Sequence, residues 1–367
     1  MSFQEVCQLL RFSLDLSVEN TQMDPAIAYQ QIISRISANS LRVTPSTAPL
    51  IYDSVARVLT RLEICQTPDV FIVNEDSTNA MVFAPGLHDK LVIVIHSGLI
   101  RLMEQNELDF VIAHEMGHCG FQHGNDNGVQ EPHSELGILR RYAISRYQEL
   151  SADRIGLLGV SSINIAAKVM MKLASGLSSA HLGIDASAFM QQIENPEISE
   201  YSGWTLHASH PSFPLRLWSL IQFCQSVEYS QLSGKGPHGI RLSEVDSSIA
   251  QRLNREGDGA LDETEEQYYI SAILWACMMM ILADDRVEQD EHLALVKLVG
   301  SPLANKAIKF VSAQGKPAAR SKYIDAVNNL HDASEATQMK YIRTIARFGE
   351  IINVNVDELT NILSAAT

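Results

Sequence analysis

The sequence predicts an α+β protein, a mostly helical domain with a small β-sheet followed by an all-α domain, and three observations lead there. Two short apolar runs, Asn79, Ala80, Met81, Val82 and Phe83 and then residues 91–95, are bounded by Asp76, Pro85 and Gly86, the pattern of strands. Elsewhere apolar residues recur at helical spacing, as in Ile27, Ile32, Ile33 and Ile36, then Leu50, Ile51, Val55, Val58 and Leu59. Beyond Cys224 the texture changes to Ser230, Ser233, Gly234, Gly236, Pro237 and Gly239, and from about residue 258 the chain is helical by pattern again.

A chain of 367 residues is long enough for about two domains with cores of their own. The expected division is N-terminal helices over 1–45 packing on a central domain over 46–225, a linker over 226–257, and a helical domain over 258–367. A net charge of −15 argues against nucleic-acid and anionic-membrane partners, which would repel such a surface. Glu5 and Arg11 interrupt the N-terminal apolar residues, so no signal peptide is expected. The longest apolar run, from Ala272 to Ala283, stops at Asp284 and Asp285, short of the about 20 residues a bilayer span needs, and reads as a buried helix. Cys7, Cys65, Cys119, Cys224 and Cys277 are scattered without CxxC spacing, which suits reduced thiols and a cytoplasmic protein.

His114, Glu115 and His118 form an HExxH pattern. On a helix, residues four apart point within about 40° of each other, so both imidazoles can grip one zinc ion. Glu115 projects beside them, placed to take a proton from a zinc-bound water. Catalytic zinc usually holds a third protein ligand. A continuation to HExxHxxGxxH fails, because Phe121 and Gly124 stand where Gly and His are needed, with Gly120 and His123 each one position early. Glu149 is the better candidate. Asp153 lies one turn on, placed to accept the free ring N–H of a zinc histidine, and small Ala152 between them permits close helix approach. By themselves Arg146, Glu149, Asp153 and Arg154 would read as a solvated charged face. Cys119 points about 100° away from His118 and reads as packing. Downstream, Pro211 and Pro214 hold His210 on a rigid loop, where it either stabilises an oxyanion or occupies the fourth zinc position as a latch. Arg216 adds positive charge or locks a carboxylate.

HExxH, then ExxAD at Glu149 to Asp153, then HPxxxxR at His210 to Arg216, resemble in order the gluzincin metallopeptidases of the HtpX, CAAX prenyl endopeptidase and Oma type, metallopeptidase family forty-eight. The resemblance covers roughly residues 45–225 and extends to the strands at 79–83 and 91–95 and to Gly98, Leu99 and Ile100. It implies that Asn79 to Phe83 form an edge strand to which an extended peptide substrate adds. Membrane members of that family carry transmembrane helices, for which the 31 residues from His118 to Glu149 leave no room, so soluble members are the better comparison.

In the C-terminal part, residues 272–291 resemble the tellurite-resistance TerB-like helical module, with Arg286 following Asp285 where that pattern prefers glycine at 285. The resemblance implies an acidic cation or partner site at Asp284, Asp285 and Glu291; the plainer reading is a helix end followed by an Asp N-cap. Asn254, Glu256, Asp258, Asp262 and Glu265 fall at EF-hand ligand spacing, a weak calcium candidate, since Asp262 and Glu265 also read as a capping box. The expectation is a soluble zinc-dependent endopeptidase acting on proteins or peptides and regulated through its helical domain, with a non-proteolytic, zinc-containing stress-response scaffold as the alternative and an aminopeptidase the weaker third reading.

Overall fold

The protein is described by a computed structural model covering residues 1–12, 30, 33–83, 91–123, 134–194, 210–255, 261, 263–284 and 286–356. It divides into two compact units. The first comprises 1–129, 144–202 and 208–251, the second 130–143, 203–207 and 252–367.

The first unit is built on a four-stranded sheet of β1 (Ser40–Arg42), β2 (Asp69–Val73), β3 (Ala80–Phe83) and β4 (Val92–His96), in the order β1-β2-β4-β3. The central β4 pairs parallel to β2 and antiparallel to β3, and its run Val92, Ile93, Val94 and Ile95 is buried on both faces, which is why it reads as continuously apolar. β1 falls in a stretch expected to be helical; three residues on a sheet edge are too short for periodicity to reveal. Gly98, Leu99 and Ile100 belong to helix α3 (Ser97–Leu102), not to a strand.

Helices of this unit among the described residues include α1 (Phe3–Leu10), α2 (Pro49–Arg61), α3, α4 (Gln105–Phe121), α5 (Glu135–Val160), α6 (Ile163–Ser175), α7 (Ala186–Gln191), α8 (Phe213–Phe223), α9 (Val227–Leu232) and α10 (Leu242–Arg255), the first turns of α5 and the end of α10 belonging to the second unit. α4 packs against α1, α2, α6 and β3. Its start is fixed by a capping box between Glu104 and Glu107, and Glu107 is itself neutralised by Lys172 at 2.6 Å, both groups buried. Arg57 of α2 grips Asp109 with two hydrogen bonds of 2.8 and 2.9 Å. α1 lies along the end of α4, with Gln4 donating to the Gly120 carbonyl. The stretch 226–257, expected as a linker, instead carries α9 and α10, whose Val245, Ile249 and Leu253 are buried. Its glycines mark turns rather than slack: Gly239 has φ of 122°, and a Cβ there would lie 2.2 Å from the Gln225 carbonyl oxygen.

In the second unit α11 (Glu263–Ile281) packs against α12 (Gln289–Val299), α13 (Ser301–His331, broken at Gly315) and α14 (Glu335–Ile352). Residues Thr264–Asp284 form a helical stretch of 21 residues, long and apolar enough to cross a membrane by length and composition alone, a test that a buried core helix also passes. Ala272, Ile273, Ala276 and Cys277 at its centre are fully buried in the core of this unit. Asp284 accepts from the Arg286 backbone N–H, and Glu291 closes a capping box with Glu288. Asp284 thus closes a local turn and Glu291 a helix cap, with Glu288 rather than an aspartate as the N-cap, while Asp285 lies outside the described residues. Of the EF-hand candidates, Asn254 sits in the last turn of α10, and Glu256, Asp258 and Asp262 lie outside the described residues. Both oxygens of Glu265 are engaged at the start of α14, by the Ser334 N–H at 2.7 Å and by the Ser334 and Thr337 hydroxyls.

Close approach of α4 and α5 depends on small residues. A Cβ at Gly159 would lie 2.2 Å from that of Ala113, so Gly159→Ala is expected to lower stability by about 1–3 kcal/mol through overpacking. Urea unfolding measures this, and an unchanged midpoint would show that the helices part freely.

Candidate metal centre

The α4–α5 contact is also where the site forms. Gly117, one residue before His118, faces Ala152: a Cβ on Gly117 would stand 3.1 Å from the Ala152 Cα. With nothing larger between the helices, His114 and His118 on α4 and Glu149 on α5 converge. His114 Nε2 is 3.0 Å from His118 Nε2 and 3.5 Å from Glu149 Oε2, and His118 Nε2 is 3.3 Å from Glu149 Oε1. Donors about 2.0–2.1 Å from a tetrahedral zinc ion lie about 3.3 Å from one another, and these separations, taken to the nearer Glu149 oxygen in each case, are close to that value. Two imidazoles and one carboxylate are also a donor set that zinc accepts.

Behind the triangle stand two more charged groups. Arg216, in the first turn of α8, makes a two-pronged contact with Asp153, Nε to Oδ2 at 2.8 Å and Nη2 to Oδ1 at 2.7 Å, and reaches Glu149 Oε2 with Nη1 at 3.1 Å. Asp153 Oδ1 lies 3.0 Å from His114 Nδ1, although the ring N–H does not align on it. Of the two roles expected for Arg216, the geometry shows the locking of carboxylates; its guanidinium is buried behind Glu149.

Burial opposes the charge on every member, and the cluster overcomes it. Asp153 and Glu149 are held below the ordinary carboxylate range, against burial, by the Arg216 charge and by the neighbouring His114 ring, with His118 adding to Glu149. Burial likewise opposes protonation of His114, yet the adjacent carboxylates of Asp153 and Glu149 raise it to about 10 in the metal-free protein. Glu115 differs: burial pushes its carboxyl up, and the His118 and His114 charges offset this only in part. A carboxylate poised to hold a proton is what a general base and acid requires.

His210 comes after a segment outside the described residues and sits on the solvent side, its Nε2 3.3 Å from Glu149 Oε1 and its side chain 60% exposed. The candidate edge strand begins with Asn79, whose carbonyl accepts from the His96 N–H, and continues as β3 at the sheet edge beside α4. Cys119 is packed near Cys7, and burial raises both thiols to about 12. The sequence pattern misses one residue of the site: His123, whose Nδ1 lies 2.8 Å from His118 Nδ1. Its signal, a histidine five residues after HExxH, is plain in the chain, but motif spacing tests it only as a metal ligand.

Replacing Arg216 with Met leaves two carboxylates buried without their cation, and is expected to cost roughly 3–5 kcal/mol, read from thermal unfolding. The pH dependence has two limbs. Carboxyls held low contribute stability that is present above about pH 4 and lost as pH falls through their folded-state values. His114, held high, contributes stability that is present below about pH 6.5 and lost as pH rises through about 10. The Tm of the metal-free protein is therefore expected to decline at both ends, and a flat profile would contradict the cluster.

Residues 45–133, which include β3 and the HExxH helix, match Peptidase family M48. The chain is 31% identical over 231 residues to a Protease HtpX homolog of Burkholderia mallei, covering 52% of this chain and 80% of that protein. It is 28% identical over 193 residues to the Plastoglobule-localized metallopeptidase 48, chloroplastic, of Arabidopsis thaliana, covering 46% of this chain and 55% of that protein. A Protease HtpX homolog of Gemmatimonas aurantiaca is 27% identical over 194 residues, covering 42% of this chain and 67% of that protein. The chain thus spans about half the length of the plastoglobule protein and two thirds or more of these two HtpX homologs. No solved structure gives a significant match. The family match across the histidine helix, together with the 31% identity spanning most of the Burkholderia relative, shows that the chain belongs to peptidase family M48.

Proposed function

We propose that the chain is a zinc-dependent endopeptidase that hydrolyses peptide bonds in protein substrates. The observation that carries this reading is the triangle of His114, His118 and Glu149 donors at zinc spacing with buried Glu115 alongside. Zinc held there would lower the pKa of water and polarise the scissile carbonyl. Glu115 takes the proton of the attacking water and returns it to the leaving amine, a role its raised carboxyl suits. His210, exposed beside Glu149, donates to the oxyanion. A substrate in extended form adds to the outer edge of β3, which among the described strands is paired with β4 alone. The second unit, whose apolar helix resembles a TerB-like module, recruits partners or regulates the enzyme, and the cytoplasm is the proposed location.

The test is cleavage of casein by the zinc-loaded chain beside Glu115→Gln, which keeps the ligands and loses the base. Cleavage abolished by the substitution and by chelation supports the reading; cleavage that survives either one contradicts it. His210→Ala is expected to keep zinc and to lower kcat by about 10²–10³-fold, the usual effect of losing one oxyanion donor. A rise in activity instead would identify His210 as a latch.

A further inference from the structure

The two histidines on α4 are supported differently from behind. His114 Nδ1 faces Asp153 at 3.0 Å, whereas His118 Nδ1 faces another imidazole, that of His123, at 2.8 Å. His118 directs its Nε2 toward His114 and Glu149, so Nε2 is the atom it offers to a metal. A neutral imidazole that gives one ring nitrogen to a metal carries its proton on the other. The Nδ1 of His118 is then a donor, and only an acceptor can stand 2.8 Å from it. From this geometry we infer that His123 is a positioning residue for the metal site, its unprotonated Nδ1 accepting from His118 Nδ1–H and fixing that ring's tautomer and orientation.

The backbone is arranged for this contact. Gln122 ends α4 in the left-handed region, φ 63°, which a residue with a Cβ adopts less readily than glycine. The turn brings the His123 N–H onto the His118 carbonyl at 2.9 Å and returns the His123 ring over the last turn of the helix. There it stacks on Phe121, centroids 5.2 Å apart and planes 18° apart, which holds its Nδ1 toward His118.

The inference rests on the zinc reading of the site, and zinc affinity separates the two because it is measured without proteolysis. In competition with a chromophoric chelator, His123→Phe keeps the stacking ring but loses the acceptor, and is expected to bind zinc about 10–100-fold more weakly, the usual loss for a group that supports a metal ligand. His123→Asn, whose Oδ1 replaces Nδ1 as acceptor, is expected to recover most of that loss, and the visible spectrum of the cobalt-loaded protein should shift in the Phe variant and return in the Asn variant. If His123→Phe binds zinc as tightly as the unchanged chain, or if the Asn variant is no better than Phe in a protein that unfolds normally, the inference is wrong. If the unchanged chain binds no zinc, the functional proposal falls and this inference falls with it.

Discussion

The first unit depends on one buried cation. Arg216 lies between Asp153 and Glu149 with its guanidinium almost wholly removed from water. Neither carboxylate would stay ionised at that depth without it, since burial alone drives both toward the neutral form. An ionised Glu149 is what makes the two histidines into a three-donor site, and an ionised Asp153 is what faces the far side of His114. Arg216 therefore joins three elements, since it is carried by α8, holds two residues of α5 and through them aligns α4.

The same region shows why the helices that carry the chemistry are themselves deeply packed. Nearly every residue of α4 from Glu107 to Gly117 is buried, including charged Glu107 and Asp109. Each of those has a cation brought from another helix, Lys172 from α6 and Arg57 from α2. Such pairs contribute little net stability against an apolar alternative, but removing one partner is costly. They hold α4 in a fixed register, which the metal site needs because a shift of an ångström would open the triangle.

Much of this could be read in the sequence, and the divide is one of interaction range. HExxH, ExxAD and HPxxxxR announce themselves because the helix repeat places residues four apart on one face, so a local pattern carries geometry. The strands at 80–83 and 92–96 were legible from apolar runs between breakers. What could not be read was set by contacts distant in sequence: the Arg216 clamp, one of two roles open for that residue, spans 63 residues to Asp153. Glycines near 236 look like slack in a one-dimensional reading and prove to be positive-φ turns between α9 and α10, Gly239 packed against the Gln225 carbonyl. Glu265 looks like a calcium ligand in the sequence because nothing local reveals the helix start 69 residues away that takes up both its oxygens.

His114, His118 and Glu149 are placed to form a metal shell, held by Arg216 and Asp153. X-ray absorption at the zinc edge tests it most directly, on the full chain loaded with one equivalent of zinc. The expected first shell contains nitrogen and oxygen only, at about 2.0–2.1 Å, with the outer-shell scattering of two imidazoles. A sulfur scatterer at about 2.3 Å, which would bring in a thiol such as Cys119, or a shell without imidazole, would contradict it.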